Sequence, residues 1–225
     1  MRERRLQGDV PVRVKICGIT RLEDALAAAR LGADALGFNF WPRSKRYVAP
    51  AVARAIVRNL PSFVTAVGVF VDPSRDEVLR ARDASGVTVV QLHGDEPPEL
   101  CASLPLPVVK AIRVADGRSL AQLASYEVQA FLLDAPSAGY GGSGKTFDWD
   151  LVAEVASELD VILAGGLAPE NVADAVAAVG PWAVDVASGV ESSPGVKDAE
   201  RMRRFIEAAR GARRRPRPED GEADR

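Results

Sequence analysis

The chain has 225 residues, 47% of them hydrophobic and 27% charged, with 29 Lys and Arg against 31 Asp and Glu. This is the composition of a globular chain with one large core, in the length range of single α/β barrels, and its balanced charge offers no basic field for nucleic acid or anionic lipid. No apolar run reaches the roughly 18 residues of a membrane span, and MRERRLQGDV lacks the apolar stretch of a secretory signal. The expectation is a cytoplasmic protein with a small-molecule partner and neither membrane nor obligate protein partner. Cys17 and Cys101 stand in different contexts, which argues against a disulfide framework, and the single histidine, His93, with no CxxC or HExxH spacing, argues for no metal and no cofactor.

Residues 1–11 read as a flexible arm. Eight short runs rich in Val, Ile, Leu and Phe follow: VRVKICG (12–18), ALGFNF (35–40), FVTAVGVFV (63–71), TVVQLHG (88–94), PVVKAIRV (107–114), AFLLDAP (130–136), VILAGG (161–166) and AVDVASGV (183–190). Their near-continuous apolarity suits parallel strands covered on both faces. Between them the apolar residues recur with helical period, as in Leu22, Ala25, Leu26, Ala29, then Val52, Ala55, Ile56, Leu60, then Val172, Ala175, Val176, Val179, and finally Met202, Phe205, Ile206, Ala209. Thr20 with Glu23 and Ser74 with Glu77 have capping-box spacing and predict two helix starts. Strand and helix alternating eight times predict a (β/α)8 barrel over residues 12–210, with an open doubly wound sheet as the alternative. From Gly211 to Arg225 the chain mixes charges of both signs with prolines and reads as a disordered tail.

A barrel keeps its chemistry at the carboxyl ends of its strands. Those ends carry Cys17, the loop FWPRSKRY, His93, Arg113 and Asp134, and two small-residue turns, Ala164-Gly165-Gly166 and Ser188-Gly189. Consecutive glycines let backbone N–H groups converge on an anion, and barrel phosphate sites are frequently built after strands seven and eight. Gly165, Gly166, Ser188 and Gly189 therefore point to a phosphorylated substrate, against the plainer reading of tight turns. Lys15 shares a strand face with Cys17 and favours a thiolate there, whereas a free Cys is otherwise a small buried hydrophobe.

GYGGSGKT (139–146) fits the phosphate-cradling pattern G-x-x-x-x-G-K-[ST]. A nucleotide site would need a helix starting at Lys145 and several further strands, but Phe147-Asp148-Trp149 intervenes, Asp148 suits a helix N-cap, and only two strands remain. A nucleotide-hydrolysing fold is rejected. The stretch reads as a loop closing on a sugar phosphate, with Gly141, Gly142 and Gly144 offering N–H groups and Lys145 a contact to phosphate.

The motifs VKICGIT, GFNFWPRSKRY, VGVFVD, VQLHGDE, LLDAPSAGYGGSGKTFDW, ILAGGLAPENV and AVDVASGVE occur in this order, and over residues 12–210 the chain closely resembles the phosphoribosylanthranilate isomerase family. The chain departs from that pattern at Ala187 and Ala164, where Ser is usual; the second change removes a hydroxyl that could touch phosphate. The resemblance implies a (β/α)8 enzyme of tryptophan biosynthesis that performs an Amadori rearrangement with Asp134 as general acid and Cys17 as general base. It further implies that Arg46 binds the anthranilate carboxylate; Arg113 is a candidate substrate contact, and Arg43 and Lys45 read as solvated loop. An acid at Asp134 working near neutral pH would need burial beside an apolar ring, which the anthranilate can provide. Other phosphosugar barrels, epimerase-like or non-catalytic, remain the alternative, although a single histidine disfavours a metal-dependent epimerase.

Overall fold

The computed structural model describes residues 11–114, 117–134 and 149–212. The eight apolar runs all form parallel strands: β1 (Arg13–Cys17), β2 (Ala35–Asn39), β3 (Thr65–Phe70), β4 (Val89–Leu92), β5 (Val108–Arg113), β6 (Ala130–Asp134), β7 (Val161–Ala164) and β8 (Ala183–Val186). Each pairs with the next, and β8 pairs with β1 through Lys15 opposite Asp185, so the sheet closes. Closure decides for the barrel over the open sheet. Helices α1 (Leu22–Leu31), α2 (Pro50–Val57), α3 (Arg75–Ser85), α4 (Pro98–Ser103), α5 (Gly117–Ala121), α6 (Trp149–Glu158), α7 (Val172–Val179) and α8 (Ala199–Gly211) follow the strands in turn.

The period of two along each strand divides the core. One set of buried residues, including Val14, Ile16, Leu36, Phe38, Val90, Leu133 and Leu163, packs outward against helix residues such as Ala25, Val152, Val176, Met202 and Phe205. The other, Val109, Ala111, Ala130, Leu132, Ile162, Ala164 and Ala183, fills the barrel interior. Lys15, Cys17, Gln91 and Asp134 alternate with the outward set, which turns them inward.

Several local expectations shift. The Ser74–Glu77 capping box forms, with both reciprocal bonds present. The Thr20–Glu23 box does not: α1 begins at Leu22 without a side-chain cap, because the Thr20 hydroxyl instead donates to Gly195 O at 2.5 Å. The apolar stripes of α7 and α8 are buried at every expected position. On α1 the buried face is Asp24, Ala25 and Ala28, and Leu22 is exposed, since Arg21 and Lys197 N both bond Asp24 and turn that face inward. Val52 of α2 is likewise exposed, and Phe63, expected inside strand three, lies in the preceding loop, 99% exposed. Strand seven stops two residues early where Gly165 (φ 93°) and Gly166 (φ 61°) leave the extended region. After β8 comes a 3-10 turn, Ser188–Val190, then a hairpin, β9 (Glu191–Ser193) with β10 (Val196–Lys197), which periodicity did not announce. Helix α8 runs through Gly211, the first residue of the expected tail. The expected N-terminal arm, apart from Pro11, and the rest of the tail lie outside the described residues.

Candidate active site

Cys17 ends β1 half-buried, two residues beyond the buried Lys15. Lys15 Nζ donates to Asp185 Oδ1 at 2.7 Å, a charge pair inside the barrel contributed by β1 and β8. Room for it comes from Gly37 on β2, which is paired with Cys17; a Cβ there would lie 2.8 Å from Cys17 Sγ and 3.2 Å from Lys15 Nζ. Burial pushes the Cys17 thiol above its ordinary pKa; Lys15 opposes this and Asp185 adds to it. For Lys15 burial acts downward, but Asp185 and Cys17 outweigh it and the ammonium is held. The ammonium that Lys15 brings to Cys17 is thus already paired with Asp185.

Three strands away around the ring, Asp134 ends β6, with Arg113 of β5 on one side and Ala164 of β7 on the other in register. His93 Nε2 stands 3.6 Å from Asp134 Oδ2, beyond hydrogen-bond length, and His93 Nδ1 is 2.8 Å from Nε2 of the buried Gln91. An amide nitrogen donating to Nδ1 puts the proton of a neutral ring on Nε2, toward Asp134. The histidine is thus a rim residue with polar contacts, as expected. Behind it, Lys110 Nζ donates to Glu96 Oε2 at 2.6 Å and Gly94 O at 2.7 Å, while Glu96 accepts from Asp72 N and Gly94 N, so the loop after β4 is fastened from below.

Arg46 reaches across from the loop after β2. Its Nε and Nη2 donate to Oε1 and Oε2 of Glu191 at 2.8 and 2.6 Å, and Glu191 Oε1 also accepts from the buried Lys197 Nζ at 2.9 Å. Burial pushes the Glu191 carboxyl up, but these two cations prevail and hold it below its ordinary range. The glycine turns meet each other: a Cβ on Gly189 would sit 2.1 Å from Leu167 O, so the loop after β8 lies directly on the loop after β7. Gly189 thus sits against Leu167 and Ala168, which follow Gly165 and Gly166 in the chain, and Asn171 closes that first loop through Ala168 N and Gly166 O. Gly141, Gly142, Gly144 and Lys145 lie outside the described residues.

Sequence reasoning did not single out Asp185, Glu191 or Lys197. Asp185 had a signal: a carboxylate inside the apolar run AVDVA must find a cation when buried, and Lys15 in VRVKIC needs an anion. Among the described residues no group of three or more His, Cys, Asp or Glu side chains is arranged to hold a metal ion.

A closed eight-stranded barrel with a titratable pair, cations and paired glycine turns at its carboxyl rim defines the class: a (β/α)8-barrel enzyme. Residues 14–208 match the family model of N-(5'-phosphoribosyl)anthranilate (PRA) isomerase. A protein of Geobacter sp. (strain M21) named N-(5'-phosphoribosyl)anthranilate isomerase is 54% identical over 199 residues, covering 88% of this chain and 98% of its own. The crystal structure of phosphoribosyl anthranilate isomerase from Thermotoga maritima superposes with a TM-score of 0.82 at 48% identity, over 89% of this chain and 99% of that one. A phosphoribosyl anthranilate isomerase solved with reduced 1-(o-carboxyphenylamino)-1-deoxyribulose 5-phosphate gives 0.81 at 44% identity, over 89% and 99%. The chain belongs to the phosphoribosylanthranilate isomerase family.

Proposed function

We propose that this chain catalyses the Amadori rearrangement of N-(5-phosphoribosyl)anthranilate to 1-(2-carboxyphenylamino)-1-deoxyribulose 5-phosphate in L-tryptophan biosynthesis. The observation that carries the reading is the placement of Cys17 and Asp134 on the inner rim, on β1 and β6 of a barrel of this family. Asp134 gives its proton to the furanose ring oxygen as the C1–O bond breaks and the nitrogen lone pair forms a protonated imine. Cys17, as thiolate, takes the proton from C2; the C–H electron pair becomes the enolamine double bond and neutralises the iminium. Protonation at C1 with loss of the C2 hydroxyl proton then gives the ketone, so two protons are gained and two lost, the atoms of substrate and product are the same and no redox partner enters.

The other residues divide by the anion they meet. The adjoining turns with Gly165, Gly166, Ser188 and Gly189 suit the phosphate, because N–H groups without intervening side chains can converge there. Arg46 suits the ring carboxylate, and the register of Arg113 with Asp134 supports its reading as a substrate contact. Pathway intermediates of this kind are soluble anions, which fits a cytoplasmic enzyme.

The test is direct: freshly made phosphoribosylanthranilate is incubated with the full chain in the presence of a metal chelator, without nucleotide, and loss of substrate fluorescence is followed. Catalysed loss with formation of the ketose product is expected. A phosphosugar-binding barrel without this chemistry would leave the decay at the rate of buffer alone.

A further inference from the structure

Arg46 has five N–H groups in one plane. Two are committed: Nε and Nη2 make a two-pronged contact with the Glu191 carboxylate along the side edge of the guanidinium. The end edge, Nη1 with the second Nη2 hydrogen, donates to no described residue, and 26% of the side chain remains accessible against 5% for Glu191. One guanidinium can hold a carboxylate on each edge, because both edges present paired parallel donors.

Glu191 is itself immobilised. Its Oε1 accepts from Lys197 Nζ at 2.9 Å and Gly195 N at 3.2 Å in addition to Arg46, Lys197 Nζ is completed by Ala187 O at 3.0 Å, and Arg201 donates to the Glu191 carbonyl. The aliphatic stem of Arg46 lies against the backbone next to Cys17: a Cβ on Gly18 would come within 2.7 Å of Arg46 Cδ. A long side chain anchored at its stem and along one edge of its head has little freedom left for the other edge.

We propose that Glu191 is a positioning residue, holding Arg46 so that the end edge of its guanidinium receives the aromatic carboxylate of the substrate beside Cys17. The inference rests on the function proposed above and gives Glu191 and Lys197 a task within it. Were Glu191 only a fastening between the β9–β10 hairpin and the loop after β2, its loss would weaken the fold without regard to which ligand is bound.

That difference sets the experiment. Binding of reduced 1-(2-carboxyphenylamino)-1-deoxyribulose 5-phosphate, and of the same compound lacking the ring carboxylate, is measured by calorimetry on the full chain and on Glu191→Gln. The variant should bind the carboxylated ligand about ten- to a hundred-fold more weakly, the size of one charge-assisted contact, and the other ligand within about two-fold of the parent chain. In turnover KM should rise more than kcat falls, and Glu191→Asp, which keeps the charge, should recover part of the preference. Equal weakening of both ligands, or an unchanged ratio, overturns the proposal. Since Gln would leave the Lys197 ammonium buried without its carboxylate, Glu191→Gln combined with Lys197→Met serves if the single variant does not fold, and is read by the same ratio. A parent chain that neither turns over phosphoribosylanthranilate nor binds either ligand overturns the functional reading as well; turnover with an unchanged ratio in the variant overturns this inference alone.

Discussion

A thiol used as a base must lose its proton before it can take one from carbon, so the environment of Cys17 bears on rate as much as its position. Burial and Asp185 raise its pKa; Lys15, shared with Asp185, and to a smaller extent Lys197 act the other way. In the proposed mechanism the deprotonated form is the active one; kcat/KM is therefore expected to climb with pH, its limb centred above the ordinary thiol value of about 8.5. Lys15→Met removes the opposing cation and leaves Asp185 unpaired, two changes of one sign, and should move the limb further up. A limb below the ordinary value, or one that moves down in the variant, would remove Cys17 from the role. A raised pKa also makes the thiolate, once formed, a stronger base for a carbon acid.

The elements supply the precision. β1, β2 and β8 stand side by side, and the register Cys17–Gly37 and Lys15–Asp185 brings the proposed base, the cation beside it and that cation's anion together on the inner face. Gly37→Ala puts a methyl group where Sγ would be 2.8 Å and Lys15 Nζ 3.2 Å away, with the Cys17 Cα, which cannot swing aside, at 3.1 Å. Overpacking of this sort costs about 1–3 kcal/mol, and kcat should fall with it because Cys17 and Lys15 are displaced together. Thermal unfolding and turnover of Gly37→Ala check both halves; parental stability with parental kcat would show that this packing is looser than its distances. At this scale the sequence was legible where one interaction dominated. The Ser74 box needs only its own helix, and formed; the Thr20 hydroxyl had a competing acceptor 175 positions away in Gly195, and no local pattern contains that information. The stripes of α7 and α8 follow hydrophobicity alone, whereas α1 is turned by the polar contacts of Asp24.

Over the whole molecule, βα alternation narrowed the fold to a barrel or an open doubly wound sheet, since eight doubly apolar strands have few ways to cover both faces, and the pairing of β8 with β1 decides for the barrel. The rim followed from that, because a strand's last residues are fixed once the barrel is: Cys17, Asp134 and the glycine turns were legible as ends before any geometry was known. What stayed hidden was pairing between distant segments. Glu191 stands in a two-strand hairpin too short to carry periodicity, and its partner Arg46 is 145 residues earlier, so only the closed ring brings them together. The family pattern around SGVE contained the residue without its reason.

In the proposed mechanism a thiol on β1 and a carboxyl on β6 share the proton transfers of one rearrangement. Steady-state turnover of phosphoribosylanthranilate by Cys17→Ala and Asp134→Asn, each shown by circular dichroism to keep the parental fold, tests it most directly. Each should lower kcat by about a hundred- to ten-thousand-fold, the contribution of a positioned acid or base, with KM little changed. A folded variant at either position that turns over at near the parental rate would contradict the assignment.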